Sequence, residues 1–131
     1  MASADEAALR RTDIGLGCAM TPEESRKQLK HLLLHAQFAE GERLARQIRT
    51  EAMQQNDLEL ATDATLRLGQ FCFELLHYQD AWDAFADALA ERAELYGSDH
   101  LRTTQARAWL AAVSSSLNRS AETRALLARA T

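Results

Sequence analysis

A recurring interval between helical turns constrains the fold of this chain more than any other feature of its sequence. Helical apolar patterns begin after short polar breaks at Phe38 and Tyr78, 40 residues apart, and the matching position 42 residues later is Ser120. Such an interval indicates stacked helical hairpins, because a hairpin that cannot bury its apolar face alone buries it against the next copy. The very short turns between paired helices also force them to run antiparallel.

Start and stop signals divide the chain into six predicted helices. The first begins at Thr21, where Pro22 and Glu24 complete the residues of a capping box. We predict helices from Thr21 to a turn near 35–37, from Phe38 to the polar stretch 54–57, and over about 58–76, 78–96, 99–117 and 120–131. Asn118 and Arg119 form the last predicted turn. Residues 1–20 lack sustained periodicity and are interpreted as an N-terminal tail.

The segment 68–89, LGQFCFELLHYQDAWDAFADAL, carries a more specific pattern. Its small and apolar residues resemble the tetratricopeptide repeat (TPR) family in type and spacing: Leu68, Gly69, Tyr78, Ala81, Phe85, Ala88 and Leu89. The stretch 94–130, which contains YGSDH, is similar to the long-repeat variant found in kinesin light chains. The resemblance covers residues 21–131. The observed interval exceeds the family's usual period of about 34 residues because each helix is longer by about one turn.

The resemblance implies an all-α, right-handed α-solenoid of three TPR-like hairpins. The repeat units span about 21–56, 57–97 and 98–131. Gly69 and Ala81 are expected where helices approach closely, and Phe85 fills the space between hairpins. The outer units depart from the family pattern, since the first has Gln28, Leu29 and Gly41, and the third has Ser114, Ser120 and Thr123, where other residue types are usual.

A TPR-like solenoid implies a non-catalytic protein–protein interaction module, acting as an adaptor, a scaffold or a small chaperone. It would bind a peptide or a partner helix in a concave groove lined by the first helix of each hairpin. The groove positions implied by the resemblance are Arg26, Lys30, Leu33, Asp63, Leu66, Arg67, Gln70, Phe73, Glu74, Gln105, Trp109 and Ser116.

The groove residues indicate which partner chemistry to expect. Arg26, Lys30 and Arg67 are suited to an acidic peptide or a terminal carboxylate, and the aromatic positions to an apolar side chain. Alternatively, the charges form a solvated face and the aromatics pack on their neighbours. The carboxylate clamp of chaperone-binding TPR proteins is not reproduced, since Trp109 stands where that clamp has a basic residue.

The C-terminal end offers a second hypothesis. Solenoid ends normally carry a polar cap, and an uncapped end exposes apolar surface. Leu126, Leu127 and Ala130 would lie on such an end, so self-assembly into a homodimer is the alternative function.

Composition narrows the partner classes further. The net charge is −4, from 15 basic and 19 acidic residues, and no long block of either sign occurs. A nucleic-acid footprint requires a basic stripe, so nucleic acid is not expected as a partner. No apolar run is long enough to insert into a membrane. With only two cysteines and no recognisable export signal, a cytoplasmic location is predicted.

Few residues suggest metal binding or catalysis. His31 and His35 lie one helical turn apart and could share a metal, as in a metal-dependent sensor, but no third ligand is evident. Cys72 and the serines at 114–116 are the conspicuous nucleophiles, and none has a recognisable base. We therefore expect no cofactor, no metal site and no enzymatic activity.

Overall fold

The computed structural model describes residues 20–130, apart from the side chains of Thr123 and Ala130. This part of the chain is entirely helical, without a strand, and contains five α-helices: α1 (Pro22–Leu34), α2 (Phe38–Gln54), α3 (Leu58–Glu74), α4 (Tyr78–Tyr96) and α5 (Leu101–Ala130). The N-terminal tail predicted over 1–20 lies outside the described residues, except for Met20. Within the described residues, no helix is both long and apolar enough to cross a bilayer.

The helices pack in the order in which they occur along the chain. Each of them contacts the next, and α1 also packs against α3. The buried side chains form one apolar core, whose largest fully buried members are Phe71, Phe85, Leu29, Ile48 and Val113. The all-helical prediction is therefore confirmed for the described residues.

The first helix begins as its sequence predicts. Thr21 Oγ1 accepts a hydrogen bond from the Glu24 amide, and the Thr21 amide donates to Glu24 Oε1, each at 3.1 Å. Pro22 occupies the first helical position. The two hydrogen bonds satisfy amides that a helix N-terminus otherwise leaves unpaired.

Three turns of the same construction connect the first four helices. Each has one residue in the left-handed region, Ala36, Asn56 or Leu76, with φ between 57° and 65°. The amide of the following residue donates to the carbonyl five positions earlier, as from His77 to Cys72 at 2.8 Å. This is the Schellman arrangement of helix C-termini. Because the turns are equivalent and α2 and α3 are each 17 residues long, α2, α3 and α4 begin at regular 20-residue intervals, at residues 38, 58 and 78.

The third predicted hairpin is wrong. No turn forms at Asn118 and Arg119, and α5 is one helix of 30 residues. Phe38 and Tyr78, which follow two of the observed turns, pack against the core. Ser120 occupies the matching position and has no apolar body to bury there. The surrounding alanine, leucine, arginine and glutamate residues favour helix, so the helix continues.

The last turns of α5 extend along exposed surface. Every described side chain from residue 121 onwards is exposed, including Leu126 at 61% and Leu127 at 63%. Because α5 runs through Leu126 and Leu127 without a break, the hypothesis that these leucines belong to a separate sixth helix is wrong. Their exposure leaves apolar surface at this end of the molecule.

Two glycines set the distance between adjacent helices. Gly69 of α3 faces the ring of Phe85 in α4, and a Cβ atom at Gly69 would lie 2.5 Å from Phe85 Cε1. Gly41 of α2 receives the ring of Phe71 in α3 in the same way. Each aromatic ring thus occupies the space that a side chain would fill, and this close fit brings α2, α3 and α4 together.

We predict that Gly69→Ala destabilises the protein by about 1–3 kcal/mol, because the new methyl group overpacks against Phe85. The sign of the change in unfolding free energy is diagnostic, because a glycine-to-alanine substitution inside an unobstructed helix stabilises the protein by about 1 kcal/mol. Urea unfolding measures the change. In a Phe85→Leu background the penalty should shrink. A raised midpoint for Gly69→Ala alone would contradict the proposed contact.

We predict that Leu76→Gly is about 1 kcal/mol more stable than Leu76→Ala, because only glycine relieves the left-handed backbone strain at this position. Leu76 is 69% exposed, so little apolar burial is lost in either variant. The matched control is Ala90→Gly at an exposed position within α4, which should be destabilising. Thermal melts of the three variants provide the comparison, and equal melting temperatures for the two Leu76 variants would refute the strain argument.

Candidate functional site

A pocket lined mainly by polar and charged side chains lies where α1, α3, α4 and α5 meet. Its volume is about 280 Å³. We call it the arginine pocket and define it by its lining residues: Arg26, Leu29, Asp63, Leu66, Arg67, Gln70, Arg92, Arg102 and Gln105. Leu29 and Leu66 are buried, so the charged groups lie beside an apolar floor.

Asp63 is the only acidic residue among those lining the arginine pocket, and arginines from three other helices contact it. Arg26 Nε lies 2.8 Å from Asp63 Oδ2. Arg92 Nη2 lies 3.0 Å from Oδ1, and Arg102 Nη1 lies 3.9 Å from the same atom. One carboxylate therefore links α3 to α1, α4 and α5.

Arg92 is the most deeply buried of these arginines, with 4% of its side chain exposed. Besides the bond to Asp63, its Nη1 donates to the Arg102 carbonyl at 2.8 Å and to Gln105 Oε1 at 3.0 Å. Its Nε is buried and has no partner among the described residues. Arg92 thus holds α4 against α5 while leaving one donor unsatisfied.

Arg67 differs from its neighbours because it has no carboxylate partner among residues 20–130. Its Nη1 donates only to the neutral Gln70 Oε1, at 3.0 Å. Burial lowers the pKa of Arg67, the positive charge of Arg92 lowers it further, and Asp63 partly opposes both effects. The guanidinium remains charged at neutral pH, because arginine is not deprotonated in proteins. Arg67 is therefore a partly desolvated cation with little compensation.

Charge in the arginine pocket is strongly unbalanced. Four arginines and one aspartate line it, which leaves an excess of three positive charges, although the whole chain carries −4. A concentrated positive charge beside an apolar floor attracts anions more strongly than the same charge on an open surface. The arrangement is suited to holding an anionic group.

Six of the twelve groove residues predicted from sequence line the arginine pocket: Arg26, Asp63, Leu66, Arg67, Gln70 and Gln105. Lys30 and Glu74 are exposed outside it. Leu33 is half-buried against the core. Ser116 lies elsewhere, in a shallow cleft with Tyr78 and Arg119.

The two predicted aromatic groove residues pack on their neighbours. The Trp109 ring stacks on Phe85 with centroids 5.4 Å apart, and meets the edge of Phe73 at 6.3 Å. Phe73 also contacts Tyr78 at 5.5 Å. Both residues are half-buried in this aromatic cluster, which corresponds to the packing alternative for these positions.

Three lining residues were absent from the predicted groove: Leu29, Arg92 and Arg102. Leu29 was noted only as a departure from the TPR pattern in the first unit. Arg92 continues the buried stripe of α4 one turn beyond Ala88, and a charged residue on such a stripe signals a buried polar contact. Arg102 lies three residues before Gln105 and thus on the same face of α5.

None of the candidate metal ligands and nucleophiles lines the arginine pocket. His35 Nδ1 lies 2.9 Å from the carbonyl oxygen of His31. Within residues 20–130, no three histidine, cysteine, aspartate or glutamate side chains group as metal ligands. Ser114 Oγ donates to the Leu110 carbonyl at 2.8 Å and accepts from Trp82 Nε1 at 3.1 Å.

Cys72 lies in the core. Its side chain is fully buried, with Sγ 3.6 Å from Glu42 Oε1. Burial raises the pKa of the thiol to about 12, and the negative charge of Glu42 acts in the same direction. A neutral, enclosed thiol is a poor nucleophile, because the thiolate is the reactive form.

Comparisons with known proteins give no independent assignment. A scan against protein-family models, a search of curated proteins and a search of solved structures each found no match to this chain. The TPR resemblance therefore remains a prediction from its motif residues. The functional argument depends on the arginine pocket itself.

We predict that Cys72 in the native protein resists thiol reagents at about pH 8, where a thiol of pKa near 12 is thiolate in only ~1 molecule in 10⁴. The test uses a Cys18→Ser variant, which leaves Cys72 as the only thiol, and follows its reaction with a disulfide reagent. Concentrated urea should restore rapid labelling. A native rate equal to the unfolded rate would contradict the buried thiol.

Proposed function

We propose that this protein is a non-catalytic protein-binding module that holds an acidic segment of a partner protein in its arginine pocket. The observation that carries the proposal is the convergence of Arg26, Arg67, Arg92 and Arg102, from four different helices, on one pocket whose lining residues include a single carboxylate. Arginine binds carboxylates through parallel hydrogen bonds, so the pocket can fix the orientation of a ligand as well as attract it.

The packing of the helices supports a TPR-like groove as the setting of this pocket. In such a solenoid the first helices of successive hairpins lie side by side, and α1 packs against α3 here. The Asp63–Arg102 contact links α3 to α5, the next helix in that series. Two complete hairpins and α5 would then form the groove, with the arginine pocket on its inner surface.

The chemistry of the pocket favours binding over catalysis. Its lining residues include no histidine, cysteine or hydroxyl side chain that could act as a nucleophile. Its arginines are permanent hydrogen-bond donors and do not serve as general bases. They can stabilise an anion, each charge-assisted hydrogen bond contributing about 1.5–3 kcal/mol. A partner acidic side chain is the simplest ligand of this kind on a protein.

We predict that a fluorescent oligoglutamate peptide binds this protein, and that Arg67→Glu weakens binding by roughly 10- to 100-fold, as expected for the loss of a charge-assisted hydrogen bond. Fluorescence anisotropy at low ionic strength measures the affinity. Arg67 is the informative position because it has no carboxylate partner within the described residues.

Lys30→Glu is the matched control, because it makes the same change of charge on the exposed surface outside the pocket. It should alter the affinity by less than about threefold, since exposed charges are screened by solvent and salt. Melting curves establish that both variants are folded. Equal losses in the two variants, or no binding to the unsubstituted protein, would refute the proposed site.

A further inference from the structure

The hydrogen-bond donors of the arginine pocket outnumber its acceptors. Both oxygens of Asp63 are already in contact with Arg26 and Arg92. Arg67 has only the amide oxygen of Gln70, and Arg92 Nε is buried without a partner in the described part of the chain. Arg49 shows the contrast, since it pairs with Glu91 at 2.7 Å and Thr65 at 2.6 Å. Donors remain available in the arginine pocket for an incoming anion.

The surplus charge distinguishes between possible anions. One carboxylate would neutralise one of the three excess positive charges. A phosphoryl group carries about −1.5 to −2 at neutral pH and has three acceptor oxygens, which can face donors in several directions. The pocket presents donors from four helices, and a tetrahedral phosphoryl group directs its oxygens out of a single plane, whereas a carboxylate keeps both oxygens in one plane. The volume of about 280 Å³ exceeds several times the roughly 30 Å³ of one water molecule, so a phosphoryl group fits with the side chain that carries it.

The four arginines differ in how readily they can turn towards a ligand. Arg92 is 4% exposed and is held by the Arg102 carbonyl and Gln105, so it stays with Asp63. The side chains of Arg26 and Arg102 are 38% and 46% exposed. Arg67 makes no ion pair within the described part of the chain and donates only to Gln70 there. Arg26, Arg67 and Arg102 are therefore the residues available to a bound anion.

We propose that the arginine pocket is a receptor for a phosphorylated side chain of a partner peptide, with Asp63 as an internal competing anion. This inference rests on the proposed function and names its ligand. In the free protein, Asp63 holds Arg26 and Arg92 in place. A phosphoryl group then binds Arg67, Arg102 and Arg26 against the repulsion of the Asp63 carboxylate. Selectivity follows, because a ligand must carry more than one negative charge to compete with Asp63 effectively.

The test compares three versions of one short labelled peptide, with phosphoserine, glutamate or serine at a single central position. We expect the phosphoserine peptide to bind at least about tenfold more tightly than the glutamate peptide, and the serine peptide not to bind measurably. Equal affinities for phosphoserine and glutamate would overturn this inference while leaving the proposed function intact. If none of these peptides nor oligoglutamate binds, both fail.

Competition with inorganic phosphate distinguishes a pocket that binds a phosphorylated peptide from one that binds the free phosphate ion. Phosphate should displace the peptide only at concentrations far above the dissociation constant of the peptide, because a peptide adds contacts along the groove. Displacement by free phosphate with equal affinity would show that the pocket selects the ion alone, which would overturn the peptide assignment.

Two variants test the assigned residues. Asp63→Asn keeps an oxygen for Arg92 and removes the competing charge, so it should bind the phosphoserine peptide roughly tenfold more tightly, given the Coulomb energy of nearby charges in a partly buried site. Weaker binding by a folded Asp63→Asn protein would contradict the role of Asp63. Arg67→Gln removes one of the three excess positive charges, so it should weaken binding of the phosphoserine peptide more than binding of the glutamate peptide, because the Coulomb attraction scales with the charge of the ligand. This second variant keeps the test decisive if Asp63→Asn does not fold.

Discussion

The contact between Arg92 and Asp63 is the interaction on which the site depends. A guanidinium that is almost fully buried is expensive to desolvate, and it is tolerated only where acceptors surround it. Asp63, Gln105 and the Arg102 carbonyl supply those acceptors from α3 and α5. The same bonds fix the positions of these helices relative to α4. Because Asp63 also contacts Arg26, the geometry of the pocket follows from how one buried cation is satisfied.

Apolar packing determines where that polar network can form. The rings of Phe71 and Phe85 fit against Gly41 and Gly69, so that α2, α3 and α4 approach closely. Equivalent left-handed turns flank α2 and α3, which are both 17 residues long, so α2, α3 and α4 begin at equal intervals. Asp63 lies on α3 on the side of the helix that faces α1 and α5. A helix shifted by one residue would rotate it by about 100°, away from its arginine partners.

The sequence predicts most of the helices, because local rules determine their ends. Thr21, Pro22 and Glu24 carry a complete start signal for α1. Phe38 and Tyr78 each follow a turn of only three residues. The missing third hairpin shows the limit of this reasoning. Its prediction relied on the interval, on helical patterning and on the resemblance of 94–130 to the long-repeat variant, and Ser120 cannot provide the apolar contact that Phe38 and Tyr78 give.

Part of the candidate site could also be predicted from the sequence. The TPR resemblance assigned Asp63, Arg67 and Gln70 to the groove, and their spacing along one helix agrees with a shared face. Arg92 lies on α4, the second helix of the hairpin that α3 begins. Its position in the pocket depends on how α4 is rotated against α3. Only tertiary packing sets that rotation, so the place of Arg92 on the buried stripe of α4 indicates a polar contact without identifying its partner.

Stability alone does not explain the composition of the arginine pocket. Replacing buried ionic groups with apolar residues is often neutral or stabilising, so charge beyond what Asp63 compensates brings no expected gain to the fold. Arg67 is the clearest case, since burial lowers its pKa, Asp63 opposes this only in part, and no carboxylate among the described residues pairs with it directly. Perturbed, incompletely paired groups of this kind concentrate at functional sites. An anion from another molecule would supply the missing partner, and the unfavourable electrostatics of the free pocket would then become binding energy.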